Sequence, residues 1–227
     1  MGSCNNSSSK LKKGQVVACL GDSITYGSKT GYVEYLQKYM NKTHSDLNLT
    51  FLNWGKNSET ITHLTEKDHP GSRPFMFDRL DKLLKQAPKP DIITFCFGIN
   101  CGIYGKHSLK LFKAYEISLN SFLDRIKVVL ITPPPLVLET SRAHGNTKLI
   151  PLGGNYSWLR PYRNYDKEVI QKFKDIILSM KHSAVIAKVD IHTPLTIQQE
   201  ISYGKDPIHP NAKGNEVIAK KMISIFF

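Results

Sequence analysis

A chain of 227 residues with 41% hydrophobic and 22% charged residues has the make-up of an ordinary globular protein and can enclose a sizeable core. No stretch approaches the roughly 18 apolar residues of a membrane span. The net charge of +12 is spread over scattered lysines (Lys10, Lys12, Lys13, Lys82, Lys85, Lys172, Lys174, Lys188, Lys220, Lys221), without a dense basic run or arginine–aromatic interleaving. That reads as a solvated lysine-rich surface and argues against nucleic acid as a partner; a polyanion-binding surface is the alternative. The four cysteines (Cys4, Cys19, Cys96, Cys101) and eight histidines lack the spacing of a zinc site or a disulfide framework, so no metal and no cofactor are expected.

Residues 1–13 read as a disordered polar tail. Met1-Gly2-Ser3 has the look of a tag remnant. Cys4 followed by Asn-Asn-Ser-Ser-Ser resembles the start of a mature bacterial lipoprotein, which would make Cys4 a lipid anchor and the one link to a membrane. The localisation expected from that start is extracytoplasmic, periplasmic or cell-surface, with cytoplasmic as the alternative. Myristoylation of Gly2 is disfavoured because Asn6 stands where the motif wants Ser or Thr.

Residues 14–227 read as one domain. The apolar run Val16–Leu20 ends in Gly21-Asp22-Ser23, a buried strand entering a tight turn. Gly31–Asn41 carries Tyr32, Val33, Leu36 and Met40 at helical spacing. Leu47–Asn53 alternates as a strand and runs into Trp54-Gly55. Thr60–Arg73 is irregular, and Phe75–Lys85 is helical until Pro88 and Pro90. Asp91–Phe97 is a second buried strand, ending in Gly98-Ile99-Asn100. Ser108 can cap a long helix through Ile126. Lys127–Thr132 is a strand closed by three prolines, and a proline- and glycine-marked segment then extends to about Tyr165. Asp166 can cap the next helix, Ala184–Asp190 is a strand, and a final helix follows Asp206-Pro207-Ile208-His209-Pro210. Strictly alternating strands and helices predict right-handed βαβ units: an α/β fold, a three-layer α/β/α sandwich around a five-stranded parallel sheet, flavodoxin-like in type.

In such a sheet the residues after each strand gather at one edge. A serine there needs a base to take its proton and a group to hold the base's tautomer. Asp206 and His209, three residues apart, can face each other across a turn, leaving the second ring nitrogen for Ser23. The backbone N–H groups of Ser23 and Gly55 and the amide of Asn100 can receive an oxyanion. Taken singly these residues are ordinary: a cap, two turn formers, a loop histidine. Their joint order is what points to a nucleophilic serine. A phosphate loop is excluded because Tyr26 stands at the second glycine position, and an α/β-hydrolase elbow because Thr25 replaces its last glycine.

The blocks Gly21-Asp22-Ser23-Ile24-Thr25, Gly55, Gly98-Ile99-Asn100 and Asp206-Pro207-Ile208-His209-Pro210 resemble those of the SGNH, or GDSL-type, hydrolase superfamily over nearly the whole domain. The resemblance implies Ser23 as nucleophile, Asp206 and His209 as the rest of the triad, and Ser23, Gly55 and Asn100 as the oxyanion hole. One departure is Cys101, where the third block usually has aspartate; it puts in question how firmly the Asn100 loop is held, and it offers a remote alternative nucleophile. The stretch from Trp54 through Arg73 to Pro90-Asp91 is similar to bacterial carbohydrate O-acetylesterases. Asp22, Trp54, Arg73, Tyr156 and Trp158 are therefore candidate substrate contacts, with Tyr104 as another loop aromatic. The function implied is a serine esterase removing small acyl groups, acetyl above all, from a carbohydrate. The alternatives are a lysophospholipase or thioesterase, and a non-catalytic glycan-binding protein on the same scaffold. The oligomeric state is open.

Overall fold

The computed structural model describes residues 11–27, 29–63, 73–102, 109–124, 126–137 and 164–227. Tyr104, Tyr156, Trp158, the Ser108 cap, Cys4 and its tail, and most of the segment before Tyr165 lie outside these residues.

Five strands form one parallel sheet in the order β2-β1-β3-β4-β5. They are β1 (Val16–Gly21), β2 (Thr50–Gly55), β3 (Ile92–Cys96), β4 (Val128–Ile131) and β5 (Val185–Val189). Burial explains the sequence pattern. The central strands β1, β3 and β4 are covered on both faces and therefore read as near-continuous apolar runs, whereas the edge strands β2 and β5 leave part of themselves exposed.

The helices among the described residues are α1 (Ser23–Tyr26), α2 (Tyr32–Thr43), α3 (Phe77–Leu84), α4 (Leu109–Leu123), α5 (Gln171–Ser179), α6 (His192–Ile197), α7 (Gln199–Ser202) and α8 (Ala212–Phe226). Right-handed crossovers put α2 on one face of the sheet and α4 and α5 on the other, because β1→β2 and β3→β4→β5 step in opposite directions. α8 returns to pack on α2, where Tyr35 donates to Glu216 at 3.3 Å. Across the sheet, the Tyr115 ring of α4 stacks on Phe173 of α5 with centroids 4.1 Å apart. None of the described helices is long and apolar enough to cross a membrane.

Two expectations shift, and one unassigned stretch gains structure. β2 begins at Thr50, because Ser45–Leu47 forms a tight helical turn and Asn48, at φ 45°, takes the left-handed conformation that asparagine tolerates. Asp166 does not cap a helix. It begins a wide π-type turn, Asp166–Ile170, ahead of α5, and its carboxylate accepts from Leu136 N at 2.9 Å and contacts the buried His192 ring at 3.2 Å. Short helices α6 and α7 occupy a stretch with no sequence expectation.

Register positions the site. Gly21 is level with both Gly55 and Cys96 in the sheet. The segments after β1, β2 and β3 therefore leave the same carboxyl edge side by side. The order reverses at β1, which is where open α/β sheets form their crevice.

Candidate active site

The turn after β1 is built by Asp22. Its side chain caps α1, accepting from Ile24 N at 3.0 Å, and Gly27, at φ 55°, ends the helix after one turn. This short helix lifts Ser23 to the sheet edge. On the far side, Asn211 caps α8 by accepting from Lys213 N and Gly214 N. Just before it, Asp206 folds its own loop: Oδ1 accepts from Ile208 N at 2.8 Å and His209 N at 3.0 Å. The other oxygen, Oδ2, meets His209 Nδ1 at 2.7 Å, and His209 Nε2 meets Ser23 Oγ at 2.9 Å. The tautomer that satisfies both contacts carries its hydrogen on Nδ1 and accepts the Ser23 hydroxyl proton at Nε2. Burial of the His209 ring lowers its pKa, but the hydrogen bond and charge of Asp206 and the charge of Asp22 outweigh this and hold it above 6.5. An open cavity of about 480 Å³ lies in front of Ser23, lined also by Tyr26, Asn57, Lys205 and Asn211.

Asn100 stands at the end of β3, 8% exposed, with both ends of its amide fixed. Oδ1 accepts from Arg73 Nη1 at 3.0 Å, and Nδ2 donates to the Glu59 carbonyl at 3.2 Å, which leaves the second N–H of the amide for a ligand. The loop is firmly held despite Cys101. Tyr115 donates to the Phe97 carbonyl at 2.8 Å, Tyr165 to that of Ile99 at 3.3 Å, and Thr62 to that of Cys101 at 3.0 Å. The thiol itself is fully buried, accepts from Thr60 Oγ1 at 3.4 Å, and is pushed up to about 12 by burial. A thiol so placed is not a nucleophile.

Gly55 is not placed as an oxyanion donor. Its N–H is spent on Asn53 Oδ1 at 3.0 Å, and its lack of a side chain is explained by Tyr26, whose backbone nitrogen a Cβ at 55 would strike. The residue that the sequence reading missed is Ser58. It holds φ 62°, an uncommon conformation for serine; its carbonyl accepts from Arg73 at 3.4 Å, and its N–H has no acceptor among the described residues. A glycine there would have drawn notice; a serine gave no signal.

Of the candidate substrate contacts, Trp54 is buried in the core at 7% exposure, so its ring has no face to offer a sugar. Alternation along β2 turns it inward, and its carbonyl accepts from Arg79 at 2.7 Å. Asp22 is likewise buried and occupied as a cap, with burial raising its carboxyl to about 7. Arg73 binds Ser58 and Asn100. Beneath this loop, Arg79 of α3 grips the buried Glu59 carboxylate with two nitrogens, fixing the backbone on which Asn100 rests.

A sequence model of the GDSL-like lipase/acylhydrolase family matches residues 19–217. The chain belongs to this family. As a GDSL-like acylhydrolase it is a hydrolase of carboxylic esters, and the matched region holds Ser23, Asn100, Asp206 and His209. No curated protein sequence matches the chain. Solved structures share its fold at low identity. LAE5, an alpha/beta hydrolase enzyme from the metagenome of Lake Arreo, Spain, superposes with TM-score 0.62 at 18% identity, over 95% of this chain and 96% of its own. Axe2, an acetylxylan esterase from Geobacillus stearothermophilus, gives 0.60 at 18%, over 96% of each chain. A member of the lipolytic protein G-D-S-L family from Veillonella parvula gives 0.60 at 16%, over 93% and 98%. The acylhydrolase thus has its relatives' five-stranded architecture.

Proposed function

We propose that the protein is a serine esterase that removes small acyl groups, acetyl foremost, from a carbohydrate through a Ser23–His209–Asp206 triad and an acyl-enzyme. The observation that carries the reading is the unbroken pair of contacts from Asp206 through His209 to Ser23 Oγ. Ser23 Oγ attacks the ester carbonyl while its proton passes to His209 Nε2. The oxyanion is received by the N–H groups of Ser23 and Ser58 and the free N–H of Asn100, in place of the Gly55 donor expected from the sequence. His209 returns the proton to the departing sugar oxygen, leaving acyl-Ser23. Water then attacks with His209 as base, and the carboxylic acid leaves. The neighbouring charge of Asp206 stabilises the imidazolium formed in each half.

A sugar as the alcohol is supported by the polar cavity wall, where Asn57, Lys205 and Asn211 can meet hydroxyl groups, and by the shared fold of Axe2, itself an acetylxylan esterase.

The test is a screen of acetylated glycans alongside aryl esters of increasing acyl length, with Ser23→Ala as control. Expected are highest kcat/KM on acetyl esters, loss of turnover in Ser23→Ala on the order of 10⁴-fold or more, and labelling of the parent at Ser23 by a fluorophosphonate. Rates climbing toward long acyl chains would transfer the protein to the lysophospholipase and thioesterase reading. Absence of both labelling and turnover would leave a glycan-binding protein.

A further inference from the structure

The lysines that are dispersed in sequence converge in space. The cavity before Ser23 shares Thr30 and Ala212 with a second hollow of about 260 Å³, which Lys29 and Lys38 line. That hollow shares Lys213 and Glu216 with a third of about 540 Å³, lined by Lys220 and Lys221. Helix α8 makes the path continuous, since residues 213, 217, 220, 221 and 224 recur at three- and four-residue steps on one face. From Ala212 to Ser224 this face alone runs ~18 Å. With Lys205 beside Ser23, six lysines border the path, all exposed. Outside the triad, Glu216 is the one carboxylate among the described lining residues, and it is held between Lys213 and Lys220 at 3.3 and 2.8 Å. Among the described residues Lys29, Lys38, Lys205 and Lys221 have no acidic partner.

We propose that this groove binds a carboxylate-bearing glycan chain, threading an anionic polymer past Ser23; the proposal rests on the esterase reading for what happens to the chain's ester. A linear hollow that opens onto the ester-cleaving serine fits a polymer that itself carries the ester. Its lysines are single point charges on flexible stems, suited to carboxylates at successive sugars; among the described residues the lining holds no arginine to offer a paired fork to phosphates. Aromatics on it do not form a base-stacking run: among the described residues Tyr26 stands singly at the Ser23 end, and Tyr35 is committed to Glu216. A membrane surface would meet a convex basic face, whereas these charges line a depression.

Binding is measured on the full-length Ser23→Ala protein with polygalacturonate, with neutral xylan and with phosphatidylglycerol vesicles, before and after Lys38→Glu, Lys213→Glu and Lys221→Glu are combined. The expected result is binding to polygalacturonate that weakens at least about tenfold in the combined variant, and likewise when ionic strength rises from about 0.02 M to about 0.3 M. Xylan binding stays unchanged. With Ser23 intact, the combined variant hydrolyses an aryl acetate within about twofold of the parent rate, which shows the site is preserved. Unaltered polygalacturonate binding, an equal loss with xylan, or vesicle binding that carries the charge dependence in place of the glycan overturns the proposal. A protein that cleaves no ester would sink the esterase reading and leave this binding measurement standing.

Discussion

Arg73 Nη1 donates a 3.0 Å hydrogen bond to Asn100 Oδ1, so a guanidinium sits on the carbonyl end of an amide whose nitrogen keeps one N–H beyond its bond to the Glu59 carbonyl. A cation on the oxygen draws electron density from the nitrogen and makes the N–H a better donor to an oxyanion. It also fixes which end of the amide faces outward. Arg73→Ala is expected to lower kcat on an aryl acetate by roughly 10- to 100-fold with KM little changed, somewhat less than removal of a whole donor. Arg73→Lys should restore part of the loss. A rise in KM at constant kcat would instead make Arg73 a substrate contact.

The rate should fall on the acid side with a midpoint above 6.5. In the proposed mechanism His209 must be neutral to take the Ser23 proton, and the hydrogen bond it donates to Asp206, with the charges of Asp206 and Asp22, stabilises its protonated form beyond what burial takes away. As pH drops through that raised pKa the base is lost. In Asp206→Asn the residual activity should show its midpoint displaced downward, together with a fall in kcat on the order of 10⁴-fold. The pH profile of kcat/KM measures both; an unmoved midpoint would contradict the assigned pairing.

Asp22 bears on stability rather than on the proton transfer. Burial raises its carboxyl from 3.8 to about 7, so the folded state holds a proton that the unfolded chain releases. Its contribution to stability is greatest in acid and is lost as pH rises from the unfolded value through the folded one. Asp22→Asn keeps an oxygen for the Ile24 N–H and removes the charge. Its Tm should exceed the parent's at about pH 8, and the difference should shrink toward about pH 5. A parallel pair of Tm–pH curves would refute it.

Removing Arg79 strands a charge. The Glu59 side chain is fully buried and already raised by burial against the pull of Arg79. Arg79→Met should destabilise the fold by about 3 to 5 kcal/mol, lowering Tm by roughly 6 °C or more. Glu59→Gln with Arg79→Met should recover part of that, since neither partner is then an uncompensated ion. Thermal melts of the single and double variants give the comparison.

The parallel sheet was legible because β1, β3 and β4 are wrapped on both faces, a condition that writes itself into sequence as near-continuous apolar runs. Ser23, Asp206, His209 and Asn100 were legible because each follows a strand or precedes the last helix. Gly55 misled for the same reason: a glycine at a strand end invites a functional reading, while its cause here is the nearness of Tyr26. Ser58 stayed hidden because serine in a left-handed conformation is imposed by surrounding structure and leaves no local mark. Trp54 was misjudged because proximity in sequence to a loop does not decide which face of a strand a side chain takes. The basic groove could not be read at all, since Lys38 and Lys213 come to line one hollow only when α2 and α8 pack.

The contact between Ser23 and His209 joins residues 186 apart, one from the first strand's turn and one from the approach to the last helix. Closing so long a loop is entropically costly and is offset only by the sheet and helices laid down between them. Hydrolysis therefore reports on the integrity of the entire chain. Recovery of turnover after denaturation would mark completion of assembly, and clipping α8 would silence Ser23 by removing the helix that follows the Asp206–His209 loop.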